Sequence, residues 1–278
     1  MNIRALEEKA VWVRRQVLET IASSGRGHIG GALSCADILV ALYYGGILRY
    51  EPHRPDWSDR DRFILSKGHS CVALYVILSD LGFFSPSELE SFCQHGSMLG
   101  GHPDRHIPGV EADTGSLGHG LGIGAGLALS ARLDRKDSMT VVLLGDGECY
   151  EGSIWEAALF AAHHRLRNLV AVVDRNRQCA MDFTEECNRL EPFADKWQAF
   201  GWDAAVINGH SFEQICSAFE GFRTRMSEKP LVVLANTIKG KGISFMEGSI
   251  KWHHGVPAGK ELDTARRELV QNVPAIPC

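Results

Sequence analysis

The feature that most constrains the fold is a series of short, unbroken apolar runs separated by longer stretches with helical periodicity. These runs predict buried strands at 141–144, 169–173, 204–207 and 231–235, with a weaker fifth strand at 63–65. Unbroken runs are typical of parallel strands covered on both faces, whereas strands with one solvent face alternate apolar and polar residues.

Helical periodicity fills the stretches between these runs. Helices are predicted over 5–22, 35–44, 70–81, 118–132, 152–165, 191–200 and 212–227, and one more begins at Ser85 and Pro86. The alternation of strand and helix predicts an α/β fold, with a doubly wound, mainly parallel sheet and helices on both faces. No repeat or long linker interrupts the pattern, so we expect a single domain over 1–278.

Composition excludes several classes of function. A net charge of −5, from 29 Lys and Arg against 34 Asp and Glu, argues against nucleic-acid and anionic-membrane partners. No apolar run reaches the roughly 20 residues that a membrane span needs. The first residues mix acids and bases, unlike a signal or transit peptide. Eight scattered cysteines without a CxxC pair favour reduced thiols and a cytoplasmic location.

Polar residues follow two of the predicted strands. Gly145, Asp146 and Gly147 come directly after 141–144, and Asn176 follows 169–173. Ligands of doubly wound sheets bind beyond the carboxyl ends of the strands, so Asp146 and Asn176 converge if these strands are neighbours. Carboxylate and carboxamide oxygens are the ligands that Mg²⁺ or Ca²⁺ prefers, with positions left for phosphate. An isolated Gly-Asp-Gly would otherwise be a tight turn.

A glycine-rich segment, 114–129, precedes the strand at 141–144. Its glycines recur at every second position without GxGxxG spacing, and no strand leads into it, so it is not a dinucleotide-binding loop. The segment predicts a closely packed helix with free backbone N–H groups at its start for a phosphate or an aminopyrimidine ring.

Four of the twelve histidines lie in glycine-adjacent loops: His28, His69, His102 and His254. Imidazole, with an unperturbed pKa of about 6.5, suits proton transfer at neutral pH. Ordinary surface roles are favoured by the charged or helical contexts of five others: His53, His106, His163, His164 and His210. The sequence leaves the roles of His95 and His253 open.

Together these segments resemble the transketolase family. The resemblance rests on SGRGHIGG at 24–31, DRFILSKGHS at 61–70, GHPD at 101–104, TGSLGHGLGIGAGLAL at 114–129, GDGECYEGSIWEA at 145–157 and HHGVP at 253–257. It extends from about residue 10 to about residue 260 and is strongest to the separately encoded N-terminal subunits of split transketolases.

The resemblance implies a thiamine diphosphate cofactor held through Mg²⁺, Ca²⁺ or Mn²⁺. The implied metal ligands are Asp146, Asn176 and the main-chain carbonyl of Gln178. The implied cofactor-binding residues are His69, His102, Gly115, Ser116, Leu117, Gly145, Asp146, Gly147, Glu151 and Asn176. The implied catalytic residues, which bind substrate oxygens and move protons, are His28, His69 and His254. Glu151 is further implied in a carboxylate network that links two cofactors across a subunit interface.

The sequence also departs from the family at several positions. His119 stands where the family usually has Gln, Arg177 where a Gly commonly follows the metal-binding Asn, and Asp182-Phe183 where Asp-Gly is common. These differences predict an unusual shape for the loop that covers the diphosphate.

The matched region lacks the family's pyrimidine-binding domain, with its activating glutamate, and its C-terminal domain. We therefore expect a separate C-terminal subunit to supply them, in an assembly of two copies of each chain that acts on sugars or sugar phosphates. The expected reaction transfers a two-carbon ketol unit from a ketose to an aldose, and this chain alone would be inactive. Close-packing surface for another subunit is predicted on 114–129 and on the helix at 152–165, at Trp155, Ala157, Ala158, Phe160 and Ala161.

Two alternatives remain at this point. One is a subunit of another thiamine-diphosphate enzyme, such as a 2-oxo acid dehydrogenase alpha subunit or a deoxyxylulose-phosphate synthase-like protein. The other is a non-catalytic regulatory protein derived from transketolase.

Overall fold

The computed structural model describes residues 2–271 and contains one sheet of five parallel strands. The strands are β1 (Arg62–Leu65), β2 (Thr140–Gly145), β3 (Leu169–Arg175), β4 (Asp203–Asn208) and β5 (Leu231–Asn236). The helices are α1 (Ile3–Ser24), α2 (Ile29–Ser34), α3 (Ala36–Tyr44), α4 (Cys71–Asp80), α5 (Gly120–Leu133), α6 (Gly152–His163), α7 (Thr184–Cys187), α8 (Phe193–Ala199), α9 (Phe212–Phe219) and α10 (Lys260–Gln271). Among these helices, none has the length and apolar character needed to cross a membrane.

The strand order is β1-β2-β3-β5-β4, with every pair parallel. Successive side chains of a strand point to opposite faces, and both faces here are apolar. Val141 and Leu143 join one buried cluster, which includes residues of α1, α3 and α4, whereas Val142 and Leu144 join another with residues of α5, α6 and α8. This two-sided burial confirms the predicted doubly wound α/β fold.

Register brings the carboxyl ends of the central strands together. In the β2–β3 pair, Gly145 lies opposite Asp174, and in the β3–β5 pair Arg175 lies opposite Asn236. The loops that follow β2, β3 and β5 therefore leave the sheet at one edge, which confirms that the strands before Asp146 and Asn176 are neighbours.

Some local predictions are wrong. The run at 204–207 was expected to be buried, but β4 is an edge strand and Val206 is 59% exposed. The helix predicted over 212–227 ends at Phe219, because Gly221 has a φ of 65° and a separate 3-10 turn covers Phe222–Thr224. At Ser85 the side chain does cap a helix, but Pro86–Ser91 is a 3-10 helix.

The cysteines of the described region are unpaired thiols. Cys35, Cys71 and Cys149 are buried, and the other four are partly or fully exposed. Cys278 lies outside the described residues.

Candidate functional site

A cavity of about 370 Å³ opens at the carboxyl edge of the sheet. Its lining includes most of the predicted site residues: His28, His69, His102, Gly115, Leu117, Gly145, Asp146, Gly147, Asn176 and Gln178. A larger cavity, of about 630 Å³, lies beside Met139 and Phe222 and is lined by none of them. Met139 directly precedes β2, so this second cavity lies towards the opposite edge of the sheet.

Three predicted site residues lie outside the cavity lining. Ser116 and Glu151 are exposed, and Glu151 is the N-cap of α6, where its side chain makes no capping bond. The His254 ring is also exposed, yet its centroid lies 4.6 Å from that of His28. Glu151 therefore does not line the cavity, although the adjacent Tyr150 does.

Asp146 is buried directly after β2. One carboxylate oxygen accepts the backbone N–H of Gly147 at 2.8 Å, and the other accepts the backbone N–H of Arg177 at 2.6 Å and the Arg175 guanidinium at 3.2 Å. Burial and the neighbouring Asp174 raise the pKa of Asp146 to about 6, despite the opposing effect of Arg175. The GDG loop and the loop after β3 are thus joined through this one side chain.

Arg175 contributes a buried guanidinium that the sequence analysis did not single out. Besides Asp146, it donates to Thr184 Oγ1 at 2.6 Å and to Glu185 at 2.8 Å, and it also reaches Glu191 at 3.2 Å. Because Thr184 and Glu185 begin α7, Arg175 anchors that short helix beside the carboxylate of Asp146. A charged residue at the end of a buried strand was the available sequence signal.

Asn176 and Gln178 lie in the turn that follows β3. Asn176 Oδ1 accepts the backbone N–H of Gln178 at 3.1 Å, and the Gln178 side chain donates to the carbonyl of Gly248. The carbonyl of Gln178 accepts from Lys239 Nζ at 3.4 Å. The three predicted oxygen ligands therefore share one cavity wall.

The imidazole rings form a cluster at the mouth of this cavity. The His28 centroid lies 5.4 Å from that of His69 and 6.3 Å from that of His102, and His253 lies 5.5 Å from His69. A short parallel bridge between His28 and Gly255 brings the loop at 253–257 beside the loop at 24–31. The structure thus brings His28, His69, His102 and His254 together, and adds His253, which the sequence left undecided.

Burial and positive neighbours keep three rings of the cluster, those of His28, His69 and His253, neutral. Burial, with His254 and His102 nearby, lowers the pKa of His28 to about 4, and burial with Lys239 lowers that of His253 to about 3. Burial also lowers the pKa of His69 well below its ordinary value. At neutral pH each of these three rings has one nitrogen that donates and one that accepts.

Lys239 is a second group that the sequence analysis missed. It is buried in the loop after β5, and its Nζ lies 3.0 Å from the carbonyl of Cys179 and 2.8 Å from His253 Nδ1. Burial and the nearby Lys67 lower the pKa of Lys239 to about 8. The signal was available, because the rule that ligands bind beyond strand ends applies to the loop after β5 as well.

Lys67 and Asp174 form a buried pair beneath the cavity. Lys67 also donates to the carbonyl of Gly31 at 3.1 Å, and Asp174 accepts from Ser34 Oγ at 2.6 Å and from Thr237. Despite the opposing effect of burial, Lys67 lowers the pKa of Asp174 and Asp174 raises that of Lys67. This pair ties β3 to the loops that carry the histidines.

Glu148 connects the glycine-rich segment to the GDG loop. Its buried carboxylate accepts the backbone N–H of Gly118 at 2.9 Å and of Gly145 at 3.0 Å, and the hydroxyl of Ser66. Burial raises the pKa of Glu148. Free backbone N–H groups were expected at the start of the glycine-rich helix, and that of Gly118 is not one of them because Glu148 accepts from it.

The residues present fit thiamine diphosphate with a divalent metal. Asp146, Asn176 and the Gln178 carbonyl supply hard oxygen donors, and the Lys239 ammonium lies beside them to balance a diphosphate. Within residues 2–271 no cluster of His, Cys, Asp or Glu alone could hold a metal, so amide, carbonyl and phosphate oxygens would complete the site. Gly115 has a φ of 133°, and a Cβ there would lie 2.8 Å from the His102 ring, so only glycine leaves this approach open.

Comparison with known proteins gives the same assignment. The family model described as the thiamine diphosphate binding domain of transketolase matches residues 7–274. The chain is 44% identical over 273 residues to a subunit of the apulose-4-phosphate transketolase of Phocaeicola vulgatus, covering 98% of this chain and 96% of that subunit. It is 43% identical over 250 residues to the 6-deoxy-6-sulfo-D-fructose transketolase subunit SqwG of a Clostridium species, covering 90% of each.

Single-chain relatives are longer. Human transketolase is 36% identical over 273 residues, which cover 98% of this chain but 42% of the human protein. The crystal structure of Campylobacter jejuni transketolase superposes with a TM-score of 0.92 at 32% identity, covering 97% of this chain and 43% of that one. This chain thus spans about two fifths of the single-chain transketolases. It belongs to the transketolase family and carries that family's thiamine-diphosphate-binding domain.

Proposed function

We propose that this chain is the N-terminal subunit of a two-subunit transketolase, which moves a two-carbon ketol unit from a ketose to an aldose. The observation that supports it most is one cavity containing oxygen donors for a metal, a buried lysine and a group of neutral histidines. The relatives that it matches along nearly their whole length are named as subunits of such enzymes. The chain would form one domain, and a second subunit would supply the pyrimidine-binding and C-terminal domains.

Each polar group of the cavity has a proposed role. Asp146, Asn176 and the Gln178 carbonyl would hold the metal, and Lys239 would offset the charge of the diphosphate. When bound, thiamine diphosphate supplies the stabilised carbanion chemistry that a ketol transfer needs. Gly115 and Leu117, with His69 and His102, would line the position of the cofactor.

The histidines would bind substrate oxygens and move protons. His253 accepts a hydrogen bond from Lys239 at Nδ1, so its own ring proton is carried on Nε2. His28 and His69 lie against it as neutral rings, able to donate to a carbonyl oxygen or accept from a hydroxyl. His254, which lies at the exposed side of this cluster, would contact the incoming sugar.

The substrates would be sugars or sugar phosphates. The relatives named above act on apulose-4-phosphate and on 6-deoxy-6-sulfo-D-fructose, which differ in the anionic group at the far end of the sugar. The histidines of the cluster can form hydrogen bonds with the carbonyl and hydroxyl groups that all such ketoses share. We therefore propose a ketose donor and an aldose acceptor, with selectivity for the anionic end residing largely in the partner subunit.

An exposed apolar surface supports the existence of a partner. Ile123 on α5 and Leu159 and Phe160 on α6 are exposed, beside the open glycine positions 122 and 126. We call these five residues the α5–α6 face. The surface expected from the sequence was partly wrong, because Ala157, Ala158 and Ala161 are buried in the core and Trp155 is half-buried. Because α5 and α6 pack against each other, exposed apolar side chains on both helices mark a candidate subunit interface.

We propose an assembly of two copies of this chain with two copies of a C-terminal, transketolase-like partner, in the cytoplasm. The test is to purify the chain with the product of a neighbouring gene that resembles the C-terminal part of transketolase. We expect ketol transfer only when both subunits, Mg²⁺ and thiamine diphosphate are present, and tighter cofactor binding in the mixture. Robust turnover by the purified chain alone would contradict the proposal. So would a chain that associates with no such partner.

A further inference from the structure

Two thiols face each other in the loop that follows Asn176. The Sγ atoms of Cys179 and Cys187 lie 3.4 Å apart, in a segment whose sequence departs from the family pattern. Cys179 is partly exposed and lines the cavity, and Cys187 is exposed. We propose that these two thiols are an oxidation site that forms a reversible disulfide. We further propose, on the basis of the function proposed above, that the disulfide weakens cofactor binding.

The backbone folds so that the two thiols meet. The N–H of Cys179 donates to the carbonyl of Asp182 at 2.9 Å, which closes a tight turn, and Gln178 pairs with Phe183 in a short antiparallel bridge. The chain then enters α7, and the N–H of Cys187 at its end donates to the carbonyl of Phe183 at 3.1 Å. This turn and helix return Cys187 to Cys179 over a separation of eight residues.

The two ends of this segment differ in how firmly they are held. The Thr184 hydroxyl accepts from Arg175 and the Thr184 carbonyl accepts from Tyr150 OH, both at 2.6 Å, so α7 is tied to the core. Ala180, Met181 and Asp182, by contrast, are exposed. When the sulfurs approach, the turn at Cys179 therefore moves more than α7 does.

Disulfide formation needs only a small approach and a two-electron oxidant. An S–S bond is about 2.0 Å long, so the sulfurs must close by about 1.4 Å. With hydrogen peroxide, the Cys187 thiol takes one oxygen to become a sulfenic acid and water leaves. The Cys179 sulfur then attacks the Cys187 sulfur, and a second water leaves. The sulfur pair loses two electrons, and a dithiol reductant returns them by exchange.

The position of Cys179 links this chemistry to the cavity. A Cβ added to Gly147 would lie 2.9 Å from Cys179 Cβ, so Cys179 packs directly against the GDG loop. Its carbonyl accepts from Lys239, and the preceding carbonyl, of Gln178, is a proposed metal ligand. Drawing Cys179 towards α7 displaces these groups, and disturbing the supports of a metal site typically weakens affinity by about 10- to 100-fold.

Peptide mapping tests the disulfide without reference to activity. Trypsin cleavage after Arg177 and Arg189 releases residues 178–189, which contain both cysteines and no other. After treatment of the native chain with hydrogen peroxide or diamide, we expect this peptide to lose two hydrogens and to resist alkylation until dithiothreitol is added. The variant Cys187→Ser should lose this behaviour, and Cys216→Ser, which changes a partly exposed thiol on α9, should keep it. If both thiols of the wild type stay alkylatable, or end as separate sulfinic acids, the proposal is wrong.

Calorimetry with Mg²⁺ and thiamine diphosphate tests the coupling. The oxidised chain, assembled with its partner subunit, should bind the cofactor about tenfold more weakly than the reduced chain. Dithiothreitol should restore affinity, and Cys187→Ser should show no effect of oxidation. Equal affinity in both states would contradict the coupling but leave the disulfide established by the peptide. If the reduced assembly binds no cofactor, the proposed function and the coupling both fail, and the peptide still decides the disulfide.

Discussion

At the level of single residues, the charge of the buried lysines helps to keep the neighbouring histidines neutral. Lys67 is held charged by Asp174, and its positive field is among the causes that lower the pKa of His69, His253 and Lys239. Protonating an imidazole here would add a further positive charge to a buried, already positive region. At neutral pH the imidazoles can therefore both donate and accept a proton. The positive charge stays on the lysines, where it can bind a diphosphate.

The first prediction concerns Asp146. We expect Asp146→Ala to weaken binding of Mg²⁺ and thiamine diphosphate in the assembled enzyme by about 100-fold or more, because it removes a proposed direct ligand. The chain should still fold, since Arg175 keeps Glu185 and Glu191 as partners. Isothermal calorimetry measures the affinity, and circular dichroism checks the fold.

Asp134→Ala is the matched control, because it removes an exposed carboxylate at the end of α5. It should bind the cofactor like the wild type. Tight metal-dependent binding retained by Asp146→Ala would show that this carboxylate is not a ligand.

The second prediction is a pH dependence of stability that comes from His28. Its pKa is about 4 in the folded chain, against 6.5 for an unperturbed imidazole. Between these values the unfolded chain binds the proton and the folded chain does not, so His28 makes stability fall as the pH drops from 6.5 towards 4. Because the ring is only half-buried, we expect an effect on the order of 1 kcal/mol.

Comparison with His28→Asn isolates this contribution, because Asp146 titrates in the same range with the opposite sign. The free energies of unfolding of the two proteins, from urea titrations at pH 7 and pH 4.5, should converge or cross as the pH falls. A difference that stays constant with pH would show that His28 does not titrate as described.

How much of the site could be predicted depended on where each residue stands relative to a strand end. Asp146 and Asn176 follow recognisable buried strands, so their convergence could be inferred from sequence. Lys239 also follows a recognisable strand and was a possible candidate, but its place beside the Gln178 carbonyl depends on β5 inserting between β3 and β4, which local sequence does not reveal. His253 and His254 are adjacent in sequence, and only the packing of their loop on His28 distinguishes their exposures.

At the scale of elements, the carboxylate of Glu148 links the segments next to α5, β2 and β1. Glu148 accepts from Gly118 just before α5, from Gly145 at the end of β2 and from Ser66 after β1. Gly145 itself lines the cavity, and Gly118 and Ser66 are each adjacent in sequence to a residue that does. The position of the glycine-rich segment relative to the GDG loop therefore depends on Glu148, a residue to which the sequence alone had assigned no role.

The third prediction follows from these bonds. Glu148→Ala leaves two buried backbone N–H groups without an acceptor, and an unsatisfied buried group costs about 1–3 kcal/mol. We expect a loss of about 3 kcal/mol in the free energy of unfolding, and a smaller loss for Glu148→Gln, which keeps one acceptor oxygen. Denaturant titration provides the values. A wild-type free energy of unfolding for Glu148→Gln would mean that side-chain volume, and not hydrogen bonding, is what matters at this position.

The type of an element could be predicted where a strand is buried on both faces and where the sequence marks its ends. The strands β2, β3 and β5 are buried on both faces, and each extends its predicted run by only one or two residues. The end of α9 was missed because apolar residues continue at helical spacing into 222–226, although Gly221 takes a left-handed conformation. Periodicity alone does not register a change of backbone direction.

For the molecule as a whole, the α5–α6 face supports the proposed association with a partner subunit. The glycines at 122 and 126 would meet no atom within 4 Å if a Cβ were added, so this part of α5 is open to close approach by another chain. The exposed apolar side chains of α6 extend the same surface. This face is where we propose that the partner subunit binds.

The last prediction tests this face. Leu159→Lys places a charge on α6 at a side chain that is 61% exposed, so folding of this chain should be little affected. Burying the lysine charge in an interface without an opposite charge to pair with costs free energy. We therefore expect association with the partner subunit to weaken at least tenfold, as it does when a central interface residue is lost. Val206→Lys is the matched control, because Val206 is 59% exposed on the edge strand β4, away from α5 and α6. Sedimentation velocity of each variant with the partner gives the comparison. If Leu159→Lys assembles as well as Val206→Lys does, the interface lies elsewhere on the molecule.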